Sequence, residues 1–314
     1  MNDNPKVTVV TVTHNLINAG RKELFRQCVE SVRHQTYDHI EHIVIDGAST
    51  DGTLDLIKEY ADQGWLTYHS EKDHGIYSAM NRGIDKSDGD YINFLNSDDF
   101  FNHPDGIKLS VQHLLETKTD FSFARCTFVN SQGKYLGIYL PVIESFLFRM
   151  PFCHQTMLIK KKTLLQLDKF DENFKSAADF DFVLRLCLSG ARFVEVPLNF
   201  VSFRLAGMSY VNQEQSIGEY AKSCMKNLNK FAEYDFKTYQ KMYLDLLLPK
   251  KLYQAIMSYL ADEYKRKLID LVKNHSQNKG NFYQISKYTK LVDTPNSKAS
   301  LMKKMLHALP IFKR

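Results

Sequence analysis

Apolar residues in the first half of the chain follow two alternating patterns. Val7–Val12 is an almost continuous β-branched run, which is typical of a strand buried on both faces. Arg21–Gln35 follows, and its apolar residues, among them Leu24 and Cys28, recur at helical spacing. The alternation continues and predicts strands and helices in turn at Glu41–Ile45, Thr53–Asp62, Leu66–His69, Ile76–Ile84, Tyr91–Leu95 and Ile107–Thr117. This order predicts a mostly parallel α/β sheet with right-handed crossovers.

The second half of the chain has a mixed pattern. Extended segments are predicted at Phe121–Val129, Tyr135–Tyr139, Met157–Ile159 and Phe193–Phe203. A helix is predicted at Asp179–Leu188. The pattern is helical from about Gln213 to Val272, and the polar stretch from Asn274 to Asn281 resembles a loop. We therefore expect one α/β domain over residues 1–211 and a basic helical C-terminal region over residues 212–314.

Polar clusters stand where four of the predicted strands end. They are His14-Asn15, Asp46-Gly47, Glu71–Asp73 and Asn96–Asp99. In open parallel sheets, ligands bind beyond the carboxyl ends of the strands. The sequence therefore predicts a ligand site at this edge of the sheet.

The last of these clusters contains two adjacent carboxylates, Asp98 and Asp99. Two carboxylates at a strand end make a hard-oxygen site that suits Mg²⁺ or Mn²⁺. A metal there would bridge a diphosphate and neutralise the charge of a departing nucleotide. The alternative is turn chemistry, because Asp and Asn also favour turns and helix starts. The position at the end of the fourth strand favours the metal site.

Three other positions carry candidate chemistry. Asp46 ends a strand, where it would accept hydrogen bonds from a base or a ribose. Asp179 opens a helix, so it is either a partner of the helix dipole or a general base that takes the proton from an acceptor hydroxyl. His154 is either a contact to phosphate or acceptor or a structural histidine.

The formal net charge of +5 hides an asymmetry along the chain. Residues from Glu219 onward contain 19 Lys and Arg against 8 Asp and Glu, whereas the first 218 residues contain 22 against 28. A basic region after an acidic one suggests contact with an anionic membrane surface or with nucleic acid. The alternative is a solvated helical surface, because the lysines are spread out. No aromatic-basic recognition motif accompanies the charge, so we expect no nucleic-acid partner.

Several classes of protein are disfavoured by what the chain lacks. No stretch approaches the roughly 20 apolar residues of a membrane span, and the first residues contain no apolar signal-peptide core. The five cysteines are scattered, which favours a reduced, cytoplasmic setting. After the first strand stands Thr13–Asn18 in place of a Gly-rich phosphate loop, which disfavours a nucleotidyltransferase, a dinucleotide oxidoreductase and a P-loop enzyme.

The motifs together resemble the inverting family-two glycosyltransferases, which have the GT-A fold, and are most similar to those of bacterial polysaccharide biosynthesis. The matching segments, in the expected order over residues 5–210, are Thr13-His14-Asn15, Asp46–Thr53, Gly75–Gly83, Asn96–Asp99, His154-Gln155, Asp179–Asp181 and Phe203–Ser209. The chain departs from the family at Asn96, where an acid is usual, and at Ala178, where Glu often precedes the catalytic Asp.

The resemblance implies a role for each matching position. It implies Asp179 as the catalytic base and Asp98, with Asp99 beside it, as the ligands of Mn²⁺ or Mg²⁺. Residues implied to bind the nucleotide-sugar are Thr13, Asn15, Asp46, Asp73, Asn81 and Asp98. Contacts to the acceptor or to phosphate are expected from His154, Asp181 and Arg204.

The implied reaction is inverting transfer of a sugar, as by a hexosyltransferase, from a UDP-sugar or another nucleotide-sugar to a saccharide or lipid-linked acceptor. The implied setting is cell-surface polysaccharide biosynthesis, in the cytoplasm or on the inner face of the membrane. The alternative from another class is a nucleotide- or sugar-binding protein of the same fold without catalysis, which the departures at Asn96 and Ala178 leave open.

Overall fold

The computed structural model describes residues 4–205, 213–286 and 291–292. The chain divides into two compact units. The first contains residues 4–139, 153–175 and 192–205, and the second contains residues 140–152, 176–191 and the described residues from 213 onward. The domain boundary expected between residues 211 and 212 lies outside the described residues.

The first unit contains the sheet predicted from the sequence. Its strands are β1 (Val7–Thr13), β2 (Ile40–Asp46), β3 (Thr67–Ser70), β4 (Tyr91–Phe94), β5 (Phe100–Phe101), β6 (Phe121–Val129), β7 (Tyr135–Tyr139), β8 (Leu158–Lys160) and β9 (Phe193–Arg204). Its helices are α1 (Lys22–Arg33), α2 (Thr53–Ala61), α3 (Ile76–Lys86), α4 (Gly106–Thr117) and α5 (Lys161–Gln166), and a short 3₁₀ turn covers His154–Thr156.

Within this unit, the strands follow the order β7-β6-β8-β4-β1-β2-β3, and β9 pairs with both β6 and β5. The strands β4, β1, β2 and β3 are mutually parallel. The strand β8 is antiparallel to β4, and β6 is antiparallel to β7 and β8 but parallel to β9. The predicted α/β sheet is therefore confirmed, parallel in its first half and mixed in its second.

The central strand β1 is buried along its length, with Val7 and Val9 at 0% exposure. Complete burial of such a side chain contributes about 1.5–3 kcal/mol. The helix α3 packs very closely on β1, because a Cβ at Gly83 would lie only 2.4 Å from Cγ1 of Val10. The parallel register aligns Thr13 with Asp46 and Asp46 with Ser70, so the ends of β1, β2 and β3 are level.

The second unit is mostly helical. Its helices are α6 (Ala178–Leu188), α7 (Gln213–Leu228), α8 (Phe236–Asp245), α9 (Lys250–Met257) and α10 (Asp262–His275), with a 3₁₀ turn at Ile143–Ser145. It also contains β10 (Leu247–Pro249), β11 (Ser276–Lys279), β12 (Phe282–Ile285) and β13 (Leu291–Val292). No helix in the described parts of the chain has the length and apolar character needed to cross a membrane.

The small sheet of this unit corrects one sequence prediction. The stretch from Asn274 to Asn281, expected to be a loop, forms the end of α10 and the strand β11, which pairs with β12 in an antiparallel sheet of order β10-β12-β11. The strand was missed because its residues Gln277–Lys279 are polar and exposed, so no alternation marks a buried face. Its backbone pairing with β12 holds it instead.

Candidate active site

Asp46, the last residue of β2, is fully buried at the carboxyl end of the sheet. Its Oδ1 accepts hydrogen bonds from Thr13 Oγ1 (3.1 Å) and Ser49 Oγ (2.5 Å). Its Oδ2 accepts from the Ser49 amide (2.9 Å) and from Ser70 Oγ (2.7 Å). One carboxylate therefore joins the ends of three strands. Because both oxygens are already satisfied, the geometry favours a role in shaping these loops over the direct base contact that the resemblance implies.

The loops after β1 and β2 are locked together by residues with unusual backbone angles. Asn15 (φ 47°) and Ala48 (φ 57°) both lie in the left-handed region, which costs a residue other than glycine about 1–3 kcal/mol. The Asn15 amide donates to Ser49 Oγ (2.8 Å), and Asn15 Oδ1 accepts from the Thr50 amide (3.0 Å). These bonds hold the strained loops at the position where the sequence predicts nucleotide binding.

Gly47 brings a third loop to the same place. A Cβ at this position would lie 2.5 Å from Asp73 Oδ2 and 3.2 Å from His14 Nδ1. Asp73 is half-buried, and its loop is fixed by Arg82 of α3, whose Nε lies 2.7 Å from Glu71 Oε1. The structure therefore brings Thr13, Asn15, Asp46 and Asp73 together at one edge of the sheet, as the sequence predicted.

Asn81, which the resemblance places in the donor pocket, makes its contacts within the fold. It lies on α3, is 6% exposed, and exchanges two hydrogen bonds with the backbone of Phe170. Its Nδ2 also donates to Glu172 Oε1 at 2.9 Å. This amide fastens the segment after α5 to α3, so the geometry favours a structural role over the predicted donor contact.

The two carboxylates of the acidic turn after β4 differ in burial and in their contacts. Asp99 is 2% exposed, and its oxygens accept from Gln155 Nε2 (2.6 Å) and from the Arg204 amide (2.6 Å). Burial, together with the charge of Asp98, raises the pKa of Asp99 to about 8. The side chain of Asp98 is 12% exposed, and its Oδ2 lies 3.4 Å from Arg21 Nη1. Asp98 is thus the more accessible carboxylate.

Gln155 sets the shape of this turn. Its Nε2 donates to Asp99, while its Oε1 accepts from the Asn96 amide at 3.2 Å. The side chain is completely buried, so it bridges the first and last residues of the acidic turn without competition from water. His154 begins the same 3₁₀ turn and is half-buried.

The donor atoms of the turn fit a divalent metal in part. The Oδ1 atom of Asn96 is buried and has no hydrogen-bond partner among the described residues. Buried polar atoms normally have a partner, and a bound cation would supply one. Together, Asp98 and Asn96 offer hard oxygens, whereas both oxygens of Asp99 are occupied. The described residues hold no group of three or more His, Cys, Asp or Glu side chains that could bind a metal. The two oxygen ligands Asp98 and Asn96 nevertheless suit Mg²⁺ or Mn²⁺, which take one or two protein ligands together with substrate phosphates and water.

Arg204 supports the turn from the end of β9. Its side chain is 3% exposed, donates to the Asp98 carbonyl and to Gln27 Oε1 (2.5 Å), and lies over the Phe100 ring at 5.1 Å. A guanidinium so engaged is poorly placed for the acceptor or phosphate contact expected of it. The structure favours a role for Arg204 in holding Asp98 and Asp99.

The cysteines, all within the described residues, form no disulfide. Cys28, Cys126, Cys187 and Cys224 are buried, whereas Cys153 is half-buried beside His154. The Cys28 thiol donates to the Asn96 carbonyl at 3.5 Å, and burial raises its pKa. This thiol is a packing group beneath the acidic turn and not a nucleophile.

The second unit contains the other two predicted acids. Asp179 lies in the first turn of α6, is half-buried, and its Oδ1 accepts from the Phe180 amide at 2.9 Å. Asp181 is fully buried and accepts from Arg185 Nε (2.8 Å), Ser223 Oγ (2.9 Å) and Asn227 Nδ2 (2.8 Å). The contacts of Asp181 favour a structural role over the expected acceptor contact, and they leave Asp179 as the better candidate base of this helix.

The fold is α/β with an acidic turn at the carboxyl end of its fourth strand, and a comparison with known families identifies the class of protein. The model of glycosyl transferase family 2 matches residues 8–172, which is just over half of the chain. The chain therefore belongs to glycosyl transferase family 2.

Individual proteins show the same relationship. An uncharacterised glycosyltransferase of Rickettsia bellii is 33% identical over 184 residues, covering 55% of this chain and 25% of the relative. The crystal structure of Staphylococcus aureus TarS 1–349 in complex with UDP-GlcNAc has a TM-score of 0.60 at 14% identity, covering 92% of this chain and 99% of that one. The mannosyltransferase PcManGT from Pyrobaculum calidifontis, in complex with GDP-Man and Mn²⁺, has a TM-score of 0.57 at 18% identity, covering 88% and 77%.

These similarities confirm the GT-A fold predicted from the motifs. The chain spans 25% to 65% of the length of the first curated relatives that it matches. At 14–18% identity the solved structures resemble this chain in fold alone.

Several residues that support the site are not predicted from the sequence. Gln155, Arg21 and Gln27 support the acidic turn, and Ser49 and Ser70 hold Asp46. Ser49 bonds to Asp46 only three positions away, whereas the others reach their partners across the fold, where no spacing pattern marks them. Gln155 belongs to the matching segment His154-Gln155, but only His154 was expected to make a contact.

Proposed function

We propose that this glycosyltransferase moves a sugar from a nucleoside-diphosphate sugar, most simply a UDP-sugar, to a saccharide or lipid-linked acceptor with inversion at the anomeric carbon. The observation that carries the proposal is the acidic turn. It offers the carboxylate of Asp98, which is more exposed than that of Asp99, and the buried Oδ1 of Asn96, which has no hydrogen-bond partner among the described residues, at the carboxyl end of β4. TarS has been crystallised with UDP-GlcNAc and PcManGT with GDP-Man, which supports a nucleotide-sugar donor here.

Asp98 and Asn96 are the residues that would hold Mn²⁺ or Mg²⁺. When bound, such an ion neutralises the negative charge that develops on the departing diphosphate. Arg21, at 3.4 Å from Asp98, adds a second positive charge at this place. Thr13, Asn15, Asp46 and Asp73 shape the loops that would receive the nucleotide.

The proposed base is Asp179 at the start of α6. Its carboxylate would accept the proton of the acceptor hydroxyl as that oxygen attacks the anomeric carbon, and the nucleoside diphosphate would leave with the bonding electrons. General-base assistance of this kind contributes roughly 10²–10⁴-fold to the rate. The product would be a glycoside of a cell-surface polysaccharide, assembled on the cytoplasmic side of the membrane.

Thermal unfolding tests the donor site directly. The protein is heated with UDP, GDP, CMP or dTDP, each with and without Mn²⁺, in the wild type, in Asp98→Asn and in the control Asp88→Asn, which alters a side chain that is 80% exposed. A ligand at 100 times its Kd adds about 2.7 kcal/mol of stability. We expect one nucleotide to stabilise the wild type and the control with Mn²⁺ but not Asp98→Asn. A lack of response to every nucleotide would contradict the donor site.

Peripheral contact with an anionic membrane is proposed for the second unit. The exposed face of α10 carries three basic residues, Arg266, Lys267 and Lys273, against one acid, Asp270, around Ile269, which is 43% exposed. Each basic side chain near such a surface contributes about 1 kcal/mol. We expect co-sedimentation with vesicles that contain phosphatidylglycerol, weakened by the pair Arg266→Glu and Lys267→Glu. Equal sedimentation with purely phosphatidylcholine vesicles would contradict the electrostatic contact.

A further inference from the structure

The helix α6, which bears Asp179, begins without a cap of its own. The first amide groups of a helix have no partner within it and need one from elsewhere. Ala177 stands at the N-cap position and has no side chain that accepts a hydrogen bond. Within the first turn, Asp179 Oδ1 accepts from the Phe180 amide, which leaves the amides at and before the N-cap position to find a partner elsewhere.

Glu219 of α7 binds the amide at the N-cap position of α6 and the amide just before it. Its Oε2 accepts from the Ser176 amide (2.7 Å), the Ala177 amide (3.1 Å) and Ser176 Oγ (3.1 Å). Its Oε1 accepts from Gln215 Nε2 at 3.2 Å, one turn earlier on α7. Glu219 is only 7% exposed, so water competes little for these bonds. A carboxylate at a helix N-terminus also interacts favourably with the helix dipole.

A second anchor lies on the other side of Asp179. The buried carboxylate of Asp181 accepts from Ser223 and Asn227 of the same helix α7. Glu219 thus ties the residues just before α6 to α7, and Asp181 ties the first turn of α6 to the next turns of α7. Asp179 stands between the two anchors, so its backbone position is set by α7 from both sides.

We propose that Glu219 is a positioning residue for the base Asp179, and this inference rests on the proposed function of Asp179. Glu219 touches neither substrate nor reacting atoms in this role. It fixes the first turn of α6, and the turn fixes the direction in which the Asp179 carboxylate can accept a proton. A displacement of about 1 Å at a catalytic group costs on the order of 10²-fold in rate. The same geometric demand applies to any base that must meet one acceptor hydroxyl.

The kinetic test compares Glu219→Ala, Glu219→Gln and the control Glu214→Ala, which alters an exposed acid of the same helix. Activity is UDP release from UDP-GlcNAc or UDP-glucose, or GDP release from GDP-mannose. We expect Glu219→Ala to lose 10- to 100-fold in kcat, with donor KM within about twofold, because the hydrogen bonds to the Ser176 and Ala177 amides are lost. Glu219→Gln should recover most of kcat, because its amide oxygen accepts the same two bonds. Full kcat in Glu219→Ala, or equal loss in both variants, would overturn the proposal.

Hydrogen exchange gives a readout that needs no donor. Amides of residues 178–181 should exchange faster in Glu219→Ala than in the wild type or in Glu214→Ala, while Glu219→Gln should stay close to the wild type. Unchanged exchange in Glu219→Ala would overturn the proposal. If Glu219→Ala unfolds, Glu219→Asp replaces it, because its shorter side chain keeps the charge but cannot reach both amides.

The double variant separates this inference from the proposed function. In an Asp179→Asn background, Glu219→Ala should cause no further loss of kcat, since the group that it positions is gone. A further loss of 10-fold or more would show that Glu219 acts independently of Asp179 and would overturn the positioning role. Full activity in Asp179→Asn alone would contradict the assignment of the base, whereas loss there combined with normal activity in Glu219→Ala would contradict only the positioning role.

Discussion

Asp99 in the first unit and Asp181 in the second are both buried aspartates that stand beside a more accessible one. The direct hydrogen-bond partners of Asp99 are neutral, namely the Gln155 amide group and the Arg204 backbone. Asp181 instead receives the Arg185 guanidinium at 2.8 Å, and Lys226 Nζ lies 3.7 Å away. Burial and the charge of Asp98 raise the pKa of Asp99 despite these hydrogen bonds, whereas the buried charge of Asp181 is paired with cations.

The comparison shows how two neighbouring acids divide their roles. In each pair the buried carboxylate accepts hydrogen bonds that hold the local structure, and the proposed chemistry is assigned to the less buried one, Asp98 or Asp179. Sequence spacing cannot make this distinction, because both members of a pair are aspartates one or two positions apart. The contacts of each oxygen make it.

The largest expected effect separates Asp179 from Asp181 by activity. Asp179→Asn should lower kcat by roughly 10²–10⁴-fold, because the amide cannot accept the proton of the acceptor. Its stability and its nucleotide-induced stabilisation should match those of the wild type, as should those of the control Asp270→Asn, an exposed position on α10. Nucleoside diphosphate release under saturating donor measures the loss. Retention of full turnover would show that the division of roles in this pair is wrong.

Stability should distinguish the same two residues in the opposite order, because Asp181→Asn should destabilise the protein and Asp179→Asn should not. Asp181→Asn leaves the partly buried Arg185 without its carboxylate, and loss of one member of a buried ion pair costs about 3–5 kcal/mol. Urea unfolding followed by circular dichroism measures this change, again with Asp270→Asn as the control. A variant as stable as the wild type would mean that the Asp181 network contributes little to the second unit.

The acidic turn of the first unit should separate its pair by ligand binding. Asp98→Asn should remove the metal-dependent part of the nucleotide stabilisation, about 2.7 kcal/mol at 100 times Kd. Asp99→Asn should retain most of it, because both oxygens of Asp99 already face protein donors. Thermal unfolding with the nucleotide that stabilises the wild type, with and without Mn²⁺, measures both variants. A reversed order would assign the metal to Asp99.

The smallest expected effect extends the comparison to a histidine held by a neutral partner. His42 of β2 is buried against Thr11 Oγ1 (3.0 Å), and burial lowers its pKa from 6.5 to about 4. The unfolded chain therefore binds more protons than the folded chain between pH 6.5 and pH 4, so stability falls as pH falls through this window. From pH 7 to pH 5 the loss is about 2 kcal/mol.

The measurement is the difference in unfolding free energy between pH 7 and pH 5 for the wild type, His42→Gln and the exposed control His34→Gln. His42→Gln should lose about 2 kcal/mol less on acidification than the other two proteins, because its side chain does not titrate. An identical pH dependence in all three would mean that His42 does not carry this linkage.

The sequence predicted the parallel half of the fold well because each signal was local. Continuous apolar runs such as Val7–Val12 marked buried strands, and helical periodicity marked α1, α2, α3 and α4 within a few residues of their observed ends. The strand β11 was missed because it is polar and exposed, so its pairing with β12 leaves no trace in the hydrophobic pattern. The level ends of β1, β2 and β3 followed from the strand order.

The candidate site was predictable only in its location. The resemblance placed Asp46, Asn81, Asp99, Asp181 and Arg204 among the functional residues, but their hydrogen bonds point to structural roles. Most of those bonds join residues from 24 to 177 positions apart, where no spacing rule reports them. Glu219 illustrates the same limit, since the sequence showed it only as the start of a basic region.

The uneven burial of the cysteines makes the natural chain suitable for site-selective labelling. Four thiols lie inside the protein, whereas Cys153 is half-buried two positions before the Gln155 clamp on the acidic turn. A small thiol-reactive fluorophore should therefore attach first at Cys153, without any cysteine having to be added or removed. A change in its emission on addition of a nucleotide would test binding at the proposed donor site without an acceptor.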